Sequence, residues 1–144
     1  MNIGKNDALS VAYFFLKKAH DHNAQITNLK LQKLVYYASV WHAVFYNKKL
    51  FVEPIEAWIH GPAIPSLYRY FKRFGFCSIE VENIDKINLP FSQETLNFLN
   101  NIWEVYGKYD AAYLEALTHS ELPLSGRVCQ DQFLGAIKIE NLCH

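Results

Sequence analysis

The chain is 144 residues long, 51% hydrophobic and 15% aromatic, with a formal net charge of zero at neutral pH. That length suits one domain, and so much apolar and aromatic side chain excludes an intrinsically disordered protein. No run approaches the roughly 20 apolar residues that a membrane span needs, and residues 1–7 lack the apolar stretch of a secretion signal.

The periodicity predicts a first helix over residues 7–19, capped by Asn6 or Asp7, with Ala8, Val11, Ala12, Phe15, Leu16 and Ala19 on one face. A second begins at a Thr27 or Asn28 cap and carries the stripe Leu31, Leu34, Val35, Ala38, Trp41 and Phe45. Tyr36, Tyr37, Val40 and Val44 make this helix apolar nearly all round, which predicts a central position. Lys30 and Lys33 lie off the stripe. Residues 51–60 read as a short extended segment because Pro54 resists helix, and Gly61-Pro62 signals a turn. Pro65 suits the first turn of a third helix that ends near Gly75. Residues 76–89 read as a strand or an irregular loop. Ser92 caps a fourth helix with Phe91 and Leu96 as a staple, and its stripe of Leu96, Leu99, Trp103 and Tyr106 stops at Gly107. Asp110 caps a fifth helix through Leu117, and a terminal helix is expected over 130–142. The expected fold is all-α, a single domain over 1–144 with room for one short β-hairpin.

Zero net charge conceals an asymmetry. Through Gly75 there are ten Lys/Arg against four Asp/Glu, and from Phe76 onward four against ten. Such a chain can steer an acidic partner to one end, unless the halves interleave and the asymmetry vanishes. Cys77, Cys129 and Cys143 are spaced too irregularly for a disulfide framework or a zinc site, so reduced thiols and a cytoplasmic location are expected. His20 with His22, and Cys143 with His144, lack a second ligand pair, so no metal and no cofactor is expected. The glycines stand singly, without a phosphate-binding loop. His119, with Glu121 and the turn at Pro123, is the most chemically suggestive polar cluster. It reads either as a base held by a carboxylate or as a helix-end histidine bonded to a loop. Lys30, Lys33, Lys48, Lys49, Arg69, Lys72 and Arg73 form a basic strip with nearby tyrosines. Overall neutrality favours a solvated face or an acidic protein partner over nucleic acid.

Three segments together resemble a known family. Residues 26–38 (ITNLKLQKLVYYA), residues 53–68 (EPIEAWIHGPAIPSLY) followed by Phe71-Lys72 and Phe74-Gly75, and residues 117–123 (LTHSELP) with Arg127 are similar in order and spacing to the Panacea antitoxin domain of SocA- and GepA-like, phage-associated proteins. The likeness runs from about Asp7 to Arg127. Leu124 departs from it, standing where the family usually has Trp, whose indole would supply a large contact surface and an N–H donor.

The resemblance implies a bacterial or prophage antitoxin, not an enzyme, that neutralises a cognate toxin protein by direct contact. It leaves the toxin and the oligomeric state unspecified. Lys30, Gln32, Lys33, Trp58, Tyr68, His119 and Arg127 are the candidate partner-binding residues, and Gly61, Pro62, Thr118 and Pro123 the structural motif. Each has a fold-keeping alternative: Gly61 and Pro62 set a turn, Trp58 fills core, and Arg127 ties the last loop to a helix end. The rival functions are an adaptor that hands its partner to other machinery, a hydrolase-type enzyme using His119 with Glu56 or Glu121, and a nucleic-acid module on the basic strip.

Overall fold

Four side-chain caps fix where helices begin. The carboxylate of Asp7 accepts from Ser10 N (2.7 Å), Thr27 Oγ1 from Lys30 N (3.2 Å), Ser92 Oγ from Thr95 N (3.2 Å) and Asp110 from Tyr113 N (2.8 Å). Each such cap contributes about 1 kcal/mol by pairing an amide that the helix leaves without a partner. A computed structural model describes residues 6–121. In order it contains α1 (Ala8–Asp21), α2 (Asn28–Tyr46), β1 (Glu56–Trp58), β2 (Gly61–Ala63), α3 (Pro65–Phe71), α4 (Gln93–Tyr106) and α5 (Ala111–Glu121). A 3-10 turn (Lys72–Phe74) extends α3, and another (Ile84–Lys86) precedes α4. The fold is mainly α-helical with one short antiparallel hairpin.

Helix α2 is the axis of this arrangement, touching α1, α3, α4, α5 and β2. Its nearly all-round apolar surface explains why: a helix with so little polar surface is packed on several sides. Leu31, Leu34, Val35, Tyr37, Ala38 and Trp41 are buried, packed with Phe15 of α1, Leu67 and Phe71 of α3, Leu99 and Tyr106 of α4, and Leu114 of α5. Tyr37 stacks on Tyr106 at 4.1 Å between ring centroids, and Trp41 Nε1 donates to Tyr106 Oη (2.8 Å), so the aromatic contact also satisfies a buried indole.

The structure refines the sequence reading at several points. Residues 76–89, read as a strand or an irregular loop, take the irregular form; Thr27 and Ser78 make one isolated bridge, and Ile79 N donates to Ile26 O (2.8 Å). Phe45, placed on the buried stripe, is half exposed. Gly61 and Pro62 are not the turn but the start of β2, pairing with Trp58 and Ala57, so Ile59-His60 makes the turn. Gly107 stops α4 as expected, with right-handed geometry (φ −61°), and its missing side chain admits Trp103, since a Cβ there would lie 2.7 Å from the Trp103 ring. The expected terminal helix over 130–142, together with Pro123, Leu124, Arg127, Cys129, Cys143 and His144, lies outside the described residues. No helix among the described residues is long and apolar enough to cross a membrane.

Candidate functional site

Residues 61–65 contain two prolines, so this stretch has few amide donors of its own and its polar backbone must be satisfied from elsewhere. Helix α2 supplies the partners. Gln32 Oε1 accepts from Ile64 N (2.8 Å), while Gln32 Nε2 donates to Asn28 Oδ1 (3.0 Å). Asn28 Nδ2 in turn donates to Tyr68 O (3.2 Å). Lys33 Nζ donates to Pro62 O (3.1 Å). One turn earlier, Lys30 Nζ donates to Gly107 O (2.6 Å), placing a cation against the electronegative end of α4. These side chains fasten β2, α3 and α4 to α2.

Their burial corrects the expectation of a continuous basic strip. Gln32 and Lys33 are each only 1% exposed and Lys30 is also buried, so neither lysine belongs to a solvated face. Desolvation lowers the Lys33 pKa from 10.5 to about 8, against the opposing pull of Glu115. Lys30 is lowered for the same reason, with Asp110 opposing. With Lys30 bonded to Gly107 O and Lys33 within the field of Glu115, the basic and acidic halves of the chain do interleave here.

Glycine 61 is where the hairpin meets α2 and α5. Its φ of +98° is one that residues with a side chain rarely adopt, and a Cβ would come within 2.8 Å of Thr118 Oγ1 and 3.3 Å of Lys33 Cε. Thr118 is fully buried there, and its hydroxyl donates back to Glu115 O (2.8 Å). The sequence assigned Gly61, Pro62 and Thr118 to one structural motif, and the fold brings Gly61 and Thr118 into contact through this missing side chain.

Outside this joint lies a polar cluster. His60 Nδ1 donates to Glu115 Oε1 (2.9 Å), and His119 Nε2 lies 3.7 Å from the same oxygen. The bond from His60 is the main influence holding Glu115 below the usual carboxylate range, with Lys33 and His119 adding to it. Among the described residues the carboxylate beside His119 is Glu115, one helical turn before it; the side chain of Glu121 lies outside them. Reasoning from sequence missed both His60 and Glu115. The Glu115/His119 spacing of four on one helix was the available signal.

Trp58 does not fill core. It is 36% exposed, with its ring edge-on to Tyr68 (5.1 Å) and its Nε1 donating to Glu56 Oε1 (3.0 Å). Beside it Ile59 is 85% exposed, and Ile55 is exposed as well. The hairpin therefore carries an apolar tip on a polar, cross-braced base. Two cavities of about 340 Å3 open elsewhere, one against Ile26 and Ile79 and one against Trp41 and Phe98, and neither is lined by His60, Glu115 or His119. No group of three or more His, Cys, Asp or Glu among the described residues is arranged to hold a metal ion.

Comparison with known proteins agrees with the motif positions. Residues 31–123 match the family described as Antitoxin SocA-like, Panacea domain. Antitoxin SocA of Caulobacter vibrioides is 31% identical over 123 residues, covering 79% of this chain. The chain spans 65% of that relative's length. No solved structure matches significantly. The family match covers well over half of the chain, including the Lys33–Gly61–Thr118 joint: the chain belongs to the SocA-like antitoxin family and carries its Panacea domain.

Proposed function

We propose that the chain neutralises a toxin protein by docking against it, using the exposed tip of the β1–β2 hairpin and the adjoining flank of α5. The observation that carries this reading is the exposed Trp58-Ile59 tip mounted on a fastened base. Exposed apolar side chains rimmed by polar ones mark protein interaction sites, and buried aromatic anchors dominate the energetics of such contacts. Because Lys33, Thr118 and the His60–Glu115 bond already hold the hairpin, docking loses little conformational entropy. His60 and His119 supply a polar rim, and Tyr68 supports the Trp58 ring from below. Arg127 remains a proposed contact from beyond the described residues. Enzymatic use of His119 has weaker support, since Glu115 is held ionised and is a poor proton acceptor, and the two cavities described above lie away from the cluster.

The test starts from a tagged full-length chain expressed in its own host, with co-purifying proteins identified by mass spectrometry. A stoichiometric partner, toxic alone and harmless with this chain, is the expected result. The double variant Trp58→Ala/Ile59→Asp should then weaken capture by about 2–4 kcal/mol, the range for losing a central aromatic anchor, and should lose protection while unfolding at the unchanged urea midpoint. Wild-type capture by that folded variant would remove the hairpin from the interface. Absence of any such partner would remove the neutralisation reading itself.

A further inference from the structure

A second surface lies at the end of α3 and the 3-10 turn that follows. From Ala57 to Ile79 the sequence contains no Asp or Glu, yet Arg69, Lys72 and Arg73 are all exposed within it. None of the three has a carboxylate within ion-pair distance among the described residues, where every ion pair involves a histidine. Three unpaired cations on little more than one helical turn repel one another, and an anionic partner relieves that repulsion.

Arg73 is also held in place. Its guanidinium lies over the Phe74 ring (4.7 Å) and the Tyr70 ring (5.9 Å), while Nη1 donates to Tyr70 O (3.1 Å). Tyr70 is fixed in turn by the contact of its hydroxyl with that of Tyr13 (3.0 Å) and by the edge of Phe71 (4.9 Å). The remaining guanidinium donors have no partner among the described residues, and an oriented planar fork suits a carboxylate held by two bonds. Immediately beyond it, Gly75 turns the chain with φ +56°, and nothing within 4 Å would meet a Cβ there. This glycine therefore serves the backbone turn, after which Phe76 projects fully exposed (100%).

We infer that this corner of Arg69, Tyr70, Lys72, Arg73 and Phe76 is a docking surface for an acidic segment of a partner protein that also carries an aromatic or aliphatic side chain. Charge complementarity selects the occupant: the cations match carboxylates, and Phe76 with the exposed edge of Tyr70 matches an apolar residue beside them. A nucleic-acid strand is less well served, because these three cations span little more than one helical turn of a chain whose net charge is zero. The surface uses none of the hairpin residues, so it stands whether or not the hairpin holds a toxin.

The test is fluorescence anisotropy of a labelled peptide of repeated Glu-Glu-Tyr triplets titrated with the full-length chain at low salt, with a single-stranded oligonucleotide as competitor. Saturable binding is expected, weakened about tenfold or more by Arg69→Glu/Lys72→Glu and by Phe76→Ser, and weakened further as salt shortens the Debye length. The side chains of Arg69 and Lys72 are exposed and make no hydrogen bond or ion pair among the described residues, so circular dichroism of their double variant should be unchanged. An absence of peptide binding, or binding indifferent to charge reversal in a folded variant, would overturn the proposal. Displacement by the oligonucleotide at much lower concentration than by unlabelled peptide would also overturn it, reassigning the corner to nucleic acid.

Discussion

At the scale of single residues, Lys33 sets the terms. Its ammonium reaches Pro62 O from a largely buried helix, so the charge sits where little water reaches. Burial brings its folded pKa to about 8, below the ordinary 10.5, and the unfolded chain therefore holds this proton more tightly than the folded one. Between pH 8 and 10.5 the unfolded state binds more protons, and stability rises with pH across that window. The urea midpoint of the wild-type chain should accordingly increase from neutral pH toward about pH 9.5. Lys33→Met keeps the volume but removes the donor, leaving Pro62 O unpaired, which costs about 1–3 kcal/mol. It should also flatten the alkaline rise, leaving only the part due to Lys30, whose pKa burial lowers as well. An identical pH slope in wild type and variant would show that Lys33 does not titrate in this way.

At the scale of elements, what was legible in the sequence was local chemistry. Asp7, Thr27, Ser92 and Asp110 announce helix starts because capping involves only a residue and its near neighbours. The central place of α2 was legible too, since covering an apolar circumference needs no knowledge of which element does it. The hairpin register was not. Gly61-Pro62 carries the composition of a turn, but Gly61 is needed for a close approach to Thr118 and Lys33, a contact made by residues distant in sequence. Lys30 and Lys33 read as solvated for a similar reason: their acceptors, Gly107 O and Pro62 O, are brought to them only by tertiary packing. Gly61 provides the test of this account. Gly61→Ala must hold an L-residue at φ +98°, about 1–3 kcal/mol of backbone strain, and also press a methyl group against Thr118 Oγ1. A fall in the urea midpoint of at least that size is expected. A midpoint near wild type would mean that the joint relaxes freely.

At the scale of the whole molecule, the residues of the segments that resemble the family divide into two physical classes that a sequence comparison treats as one. Asn28, Lys30, Gln32, Lys33 and Thr118 are buried, and the bonds of the four α2 side chains run inward to the backbone of 62–68, to Gly107 O and to one another. Trp58, Ile59, His60 and His119 face solvent. If neutralisation works by docking a preformed hairpin, the classes must fail differently. Gln32→Ala leaves Ile64 N and Asn28 Oδ1 without partners inside the protein, a loss of about 1–3 kcal/mol for each group left buried. Its protection against the toxin should decline in step with the folded fraction and recover when the growth temperature is lowered. Trp58→Ala should lose protection at every temperature at which the protein is folded, because it removes contact surface and leaves the fold intact. Protection measured in cells, plotted against the folded fraction of each purified variant, separates the two classes. Buried-class variants should fall on one curve through wild type, and hairpin variants should fall below it. If Gln32→Ala also fell below the curve while fully folded, α2 itself would have to reach the partner, and the rigid-hairpin account of neutralisation would fail.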